Sequence, residues 1–194
     1  MAKVTEDREY WLRGALTGVT PLLQPVAHAL LQARAEVNAL LVGFPDTLLW
    51  ERPGGVASPG FHLQHLAGVL DRLFTYAREE SLTPHQLQDL AGEGEPQPGQ
   101  ATVAELLNRF NIQIDKALDQ VSQTGEAELL LPRSVGRARI PSTVVGLLFH
   151  AAEHIQRRAS AEARCNAQVP IHGSYTRRFQ VGELAFRGFA AAHV

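Results

Sequence analysis

One cysteine, Cys165, in 194 residues leaves no partner for an internal disulfide, so the fold has to rest on its apolar core. A net charge of −2 supplies no global field for nucleic acid or an anionic membrane, and no basic stretch is interleaved with aromatics. Apolar runs such as Val144 to Phe149 stop well short of a membrane span. Absent too are a Cys-x-x-Cys pair, a phosphate-binding glycine loop and a Ser-His-Asp pattern. The opening Met-Ala-Lys-Val-Thr-Glu-Asp lacks the basic-then-apolar order of a secretory signal, which makes the cytoplasm the expected location. What the chain does have is apolar mass. With 45% hydrophobic residues it can bury a core, and its length suits one domain with an appendage.

The pattern of that apolar mass is helical. Leu23, Val26, Leu30, Ala33, Val37 and Leu40 recur three or four apart. So do Leu63, Leu66, Leu70, Leu73 and Ala77, and Val103, Leu107, Phe110, Ile114, Ala117 and Val121. A fourth stripe joins Val144, Leu148, Ala151 and Ile155. Thr20-Pro21, Ser58-Pro59 and Thr83-Pro84 each set a hydroxyl at an N-cap and a proline at the first helical position. Thr83 with Gln86, and Thr102 with Glu105, fit capping boxes. These signals predict an all-α four-helix bundle with helices near 21–43, 58–78, 102–123 and 142–158. A short helix near 84–91 and another around Glu6 to Leu16 complete the expectation. Glu128 to Leu131 is too brief an apolar run to propose a sheet. The long connections Gly92 to Gln100 and Gly125 to Pro141 are each expected to travel the length of the bundle.

His150 and His154 stand four apart on the last helix, so both rings project from one face, one turn apart. That is metal-ligand spacing, and His65 on a separate helix could close a three-histidine site with a position left for water or substrate. The bland alternative is a set of neutral, hydrogen-bonded imidazoles near the bundle end. Arg72 follows His65 by two turns on the same face and could bind the carboxylate of a thiol cofactor or substrate, or be solvated. Arg133, Arg137 and Arg139 suggest an anion-binding lip over the bundle mouth, or an ordinary charged loop. His62 is expected to be partly buried or at the surface, and His28, His85, His172 and His193 solvated. Cys165 has only Arg164 to depress its pKa and reads as a bystander.

Ser58-Pro-Gly-Phe-His-Leu-Gln-His65-Leu-Ala-Gly-Val-Leu-Asp-Arg72-Leu, followed by Arg139-Ile-Pro-Ser-Thr-Val-Val-Gly-Leu-Leu-Phe-His150-Ala-Ala-Glu-His154-Ile-Gln-Arg157, resembles the second and fourth helices of DinB-like proteins. The resemblance covers roughly 20–157. It implies an up-down-down-up bundle with a crossover connection, a homodimer, and a divalent metal such as zinc or nickel held by three histidines. It also implies an activity of the kind found in thiol S-transferases and isomerases that use low-molecular-weight thiols, or in hydrolases acting on small electrophiles.

The chain departs from that pattern at one place. The family's last ligand falls on position 158, which holds Arg158, and the Gly-Gln pair after it is replaced by Ser160 and Ala161. A guanidinium is permanently charged and cannot ligate a cation. His65 and His154 remain as the matched pair, with His150 the candidate third ligand. Likeness ends so abruptly after Arg157 that 158–194 reads as a divergent, irregular C-terminal extension of the 1–157 bundle, such as a replaced helix end or a shifted reading frame would leave. Two functional classes follow. One is a metal-dependent enzyme; the other is a metal-free bundle serving as a binding or stress-associated dimer.

Overall fold

The protein is described by a computed structural model over residues 8–166. Five α-helices, α1 (Gln24–Leu40), α2 (Pro59–Ala77), α3 (Pro84–Ala91), α4 (Val103–Gln123) and α5 (Val144–Asn166), are joined by one hairpin of β1 (Pro132–Val135) and β2 (Ile140–Thr143). Side-chain capping fixes three helix starts. The Ser58 hydroxyl accepts from the Phe61 amide, and Thr83 and Thr102 close the expected capping boxes with Gln86 and Glu105. Thr20 behaves differently. Its hydroxyl bonds the Glu126 carboxylate across the bundle, and a 3-10 turn over Pro21–Leu23 precedes α1.

Polar pairs between helices give their directions. Arg34 bonds Asp115 while Asn38, further along α1, bonds Asn111, earlier in α4, so α1 and α4 are antiparallel. Asp71 pairs with Gln113 and the Phe74 carbonyl with Gln120, so α2 and α4 are parallel. The hairpin that leads into α5 delivers Arg133 Nε to the carbonyl of Ala77 at the end of α2, whereas His65 near the start of α2 meets His154 midway along α5. These two helices are therefore antiparallel. The order is up-down-down-up, with α1 and α2 each packed between α4 and α5. Leu23, Leu30, Leu63, Leu66, Leu70, Leu106, Phe110, Ile114, Leu148 and Ile155 are fully buried between them, each worth about 1.5–3 kcal/mol of apolar burial.

Because α2 and α4 run the same way, the segment between them must return along the whole bundle, and it does so through α3 and residues 92–102. The connection from α4 to α5 does not, contrary to expectation. Those helices are antiparallel, so 124–143 stays at one end, where Val145 donates to the Leu129 carbonyl and Val144 to that of Leu131. The hairpin there, with Pro132 opposite Thr143 and Val135 opposite Ile140, was not foreseen. Its strands carry no apolar alternation, and only backbone pairing around a turn with Gly136 and Arg139 at positive φ defines them.

The N-terminal helix expected around Glu6 to Leu16 is, among the described residues, one 3-10 turn over Tyr10–Leu12. Gly14 and Gly18 at positive φ break the chain, and Gln24 and Gln32 take up the amides of Leu16 and Tyr10 that a helix would have used. The last helix, expected to stop near 158, runs on to Asn166. The proposed boundary at Arg157 and Arg158 is thus no break in the backbone; 167–194 lies outside the described residues.

Candidate functional site

His65 enters the site because α2 begins where Ser58 caps it and turns its apolar stripe to the core, leaving His65 half-buried at the flank that faces α5. His154 reaches it from α5, with 3.1 Å between the two Nε2 atoms. On the far side of His65, Nδ1 stands 2.8 Å from Glu93 Oε2. The other oxygen of Glu93 accepts from Arg72 at 2.7 Å. A carboxylate only accepts, so Nδ1 of His65 carries a proton; in the neutral ring Nε2 then presents a lone pair, to which Nε2–H of His154 donates. Arg157 approaches His154 Nδ1 at 3.5 Å. The result is a line of groups, Arg72, Glu93, His65, His154, in which the tautomer of each ring follows from its neighbour.

Glu93, not among the candidate residues of the sequence, is the centre of this line. Its side chain is 8% exposed. Burial would raise its pKa, but hydrogen bonds from His65 and Arg72 reverse this and hold it below the usual carboxylate range. Three features of the chain put it there. Buried Gln64 accepts from the Gly94 amide at 2.8 Å and donates to the Glu95 carbonyl at 2.9 Å, pinning the returning segment on α2. Gly68 leaves the space: a Cβ on it would stand 2.6 Å from an Arg72 nitrogen and 2.7 Å from Glu93 Oε1. Phe61 stacks on the His65 ring with centroids 5.4 Å apart. Gly-Glu93-Gly in a loop, a carboxylate between two glycines, is the one local trace in the sequence of a backbone that approaches α2 closely.

Arg72 is therefore not free to bind the carboxylate of a thiol. Only 11% exposed and paired with Glu93, it serves to hold that carboxylate in place. His150 does not join the pair. Its ring centroid is 5.8 Å from that of His154, its side chain is 55% exposed, and its Nδ1 faces Glu153 at 3.6 Å. Being one turn nearer the start of α5, it lies toward the end of α2 rather than toward His65. Arg133 forms no lip over the site. Its guanidinium closes the far end of α2, about 18 Å along the helix from His65. His28 and His85 stay at the surface, near Gly14 and Asp89. Cys165 lies on the last turns of α5, and its side chain is outside the described residues.

Arg158 comes in one turn beyond His154, and its charge acts on both His154 and His62. Burial, the neighbouring His65 and then Arg158 push the His154 pKa down to about 4. His62 is buried on α2, and burial, Arg158 and His65 together lower its pKa. Both rings are neutral at pH 7. The metal implied by the family pattern can be tested on these groups. Two nitrogens 3.1 Å apart come close to the roughly 3.4 Å edge of a tetrahedral zinc site, and Glu93 orients one of them as a carboxylate behind a ligand does. Position 158, where the family pattern has its last ligand, holds Arg158, whose charge opposes a cation. Among the described residues no group of three His, Cys, Asp or Glu side chains could hold an ion, so the described donors by themselves do not fit a resident metal.

No described helix is long and apolar enough to cross a membrane. Comparison with curated proteins gives no match. The family model of the DinB superfamily matches residues 29–160, more than half of the chain, from within α1 to beyond His154 on α5. With that match and the up-down-down-up bundle, the chain belongs to the DinB superfamily.

Proposed function

We propose that this protein is a metal-independent member of its superfamily that binds a small molecule against the floor formed by Glu93, His65, His154 and Arg158. The observation that carries the reading is Arg158 at the position where the family pattern has its last ligand, one turn beyond His154 on α5, with a charge that acts on both His154 and His62. A permanent positive charge beside two imidazoles opposes a second cation. The same arrangement remains useful without one. Glu93 holds His65 with its Nε2 lone pair toward the site, so His65 can accept a hydrogen bond or proton from a bound molecule that displaces His154 from it.

A second reading, a metal-dependent enzyme of the thiol transferase, isomerase or hydrolase type, draws support from the convergence of His65 and His154 and from Glu93 behind them. The two readings part at the metal. Elemental analysis of protein purified without an affinity tag or chelator is expected to find zinc and nickel far below one per chain. A stoichiometric ion that survives dialysis would overturn the metal-independent reading and establish the second.

A further inference from the structure

A cavity of about 310 Å³ opens where the segment before α1 crosses that helix. Gln156 of α5 lines it and donates to the Ala29 carbonyl on α1 at 2.8 Å, whereas His154 turns to α2. Two residues are about 200° around a helix, so the cavity and the histidine pair occupy different flanks of α5. Gly14 and Gly18 at positive φ let the chain fold back over α1, and Gln32 holds it there. Oε1 of Gln32 accepts from the Tyr10 amide at 3.1 Å while its Nε2 donates to Glu36 Oε1 at 2.8 Å. The next residue, Trp11, lines the cavity yet is 63% exposed and is no part of the core. Its indole N–H donates to Glu9 Oε2 at 2.5 Å, which fixes a large aromatic face beside a carboxylate.

We propose that this cavity binds an organic cation, an alkylated ammonium group, with the Trp11 indole as its aromatic wall and the carboxylates of Glu9 and Glu36 as its counter-charges. Among the described residues its lining joins those groups to Tyr10 and the apolar Pro25 and Ala29, and includes neither lysine nor arginine. An anion would meet two like charges there, and a neutral apolar molecule would take water from the carboxylates and give nothing back. An alkylated ammonium answers both surfaces: its charge is attracted by the carboxylates and by the ring quadrupole, and its methyl groups pack on the indole. A bare metal ion needs a shell of oxygens, which rings and a proline do not supply. The segment already uses this chemistry internally, since the Arg13 guanidinium lies 3.9 Å from the centroid of the Tyr10 ring. Trp11 is the ring offered to a ligand. The site is independent of any reading of the histidine pair.

The test titrates the full chain with tetramethylammonium chloride and follows tryptophan emission, with sodium chloride, uncharged tert-butanol and calcium chloride as parallel titrations. The expected result is a saturable change with tetramethylammonium and none with the other three. Trp11 and Trp50 are the two tryptophans of the chain, so in Trp11→Leu the emission that remains, from Trp50, should not respond. Measured by calorimetry, Trp11→Leu should weaken the binding at least about fivefold. Glu36→Gln, which keeps a carbonyl for Gln32 and removes only the charge, should weaken it as well. Both variants should keep the parent's circular dichroism. A response that does not saturate, an equal response to tert-butanol, saturation by calcium in place of tetramethylammonium, or an affinity unchanged in either variant overturns the organic-cation site.

Discussion

A carboxylate sealed from water resists ionisation unless cations hold it, and Glu93 is held by two groups that each need it in return. Without its charge Arg72 is left buried and unpaired, and the Nδ1–H of His65 loses its acceptor. Removing one member of a buried pair typically costs about 3–5 kcal/mol. Glu93→Gln keeps the shape and one carbonyl acceptor, so urea unfolding is expected to show a loss near the lower end of that range. A variant as stable as the parent would mean that the pair is solvated. Two histidines beside them set an acid limit. His154 has a folded pKa of about 4 against an ordinary 6.5, and His62 is shifted the same way. Protonation therefore favours the unfolded chain, whose histidines take up protons first. Their contribution is complete above about pH 6.5 and is lost as the pH falls toward 4. The urea midpoint should be lower at pH 5 than at pH 7.5, and His154→Gln should narrow the gap; equal midpoints in the parent would contradict the shift.

At the scale of elements, the site depends on how far α5 continues. It runs through Arg158 to Asn166, so position 158 is held one turn beyond His154 on the same face. Arg158→His removes the opposing charge and adds an imidazole at that corner. Zinc or nickel affinity, measured by calorimetry, should rise at least about tenfold, or 1.4 kcal/mol. An unchanged affinity would show that the corner is too far from His65 and His154 to complete a set. The returning segment after α3 matters as much as the helices. Gln64 grips it on both sides of Gly94, and this places Glu93 without any regular structure of its own.

For the whole molecule, parallel α2 and α4 force one long return along the bundle, and that return carries the group that organises the site. The expected homodimer is a separate matter of surface. Leu130, Ile140 and Phe149, on and around the hairpin end, are large apolar side chains that stay exposed. Sedimentation velocity is expected to show a dimer, and Phe149→Glu to shift it toward monomer; a parent that remains monomeric at micromolar concentration would contradict this.

The four long helices, α3 and most helix starts were legible in the sequence, because periodicity and capping are short-range chemistry, and the closeness of His65 and His154 was legible through the resemblance to DinB-like helices. That an arginine stands at 158, where the family pattern has its last ligand, was legible through the same resemblance, and its charge does not depend on its surroundings. Glu93 was not. Its place is set by closing the chain from α2 to α4 and by contacts with Gln64 and Gly68, none of which leaves a local pattern. The commitment of Arg72 and the outward turn of His150 were equally closed to sequence reading. Spacing says which face of a helix a side chain shares, whereas only the packed bundle decides what stands opposite it and which partner is already taken.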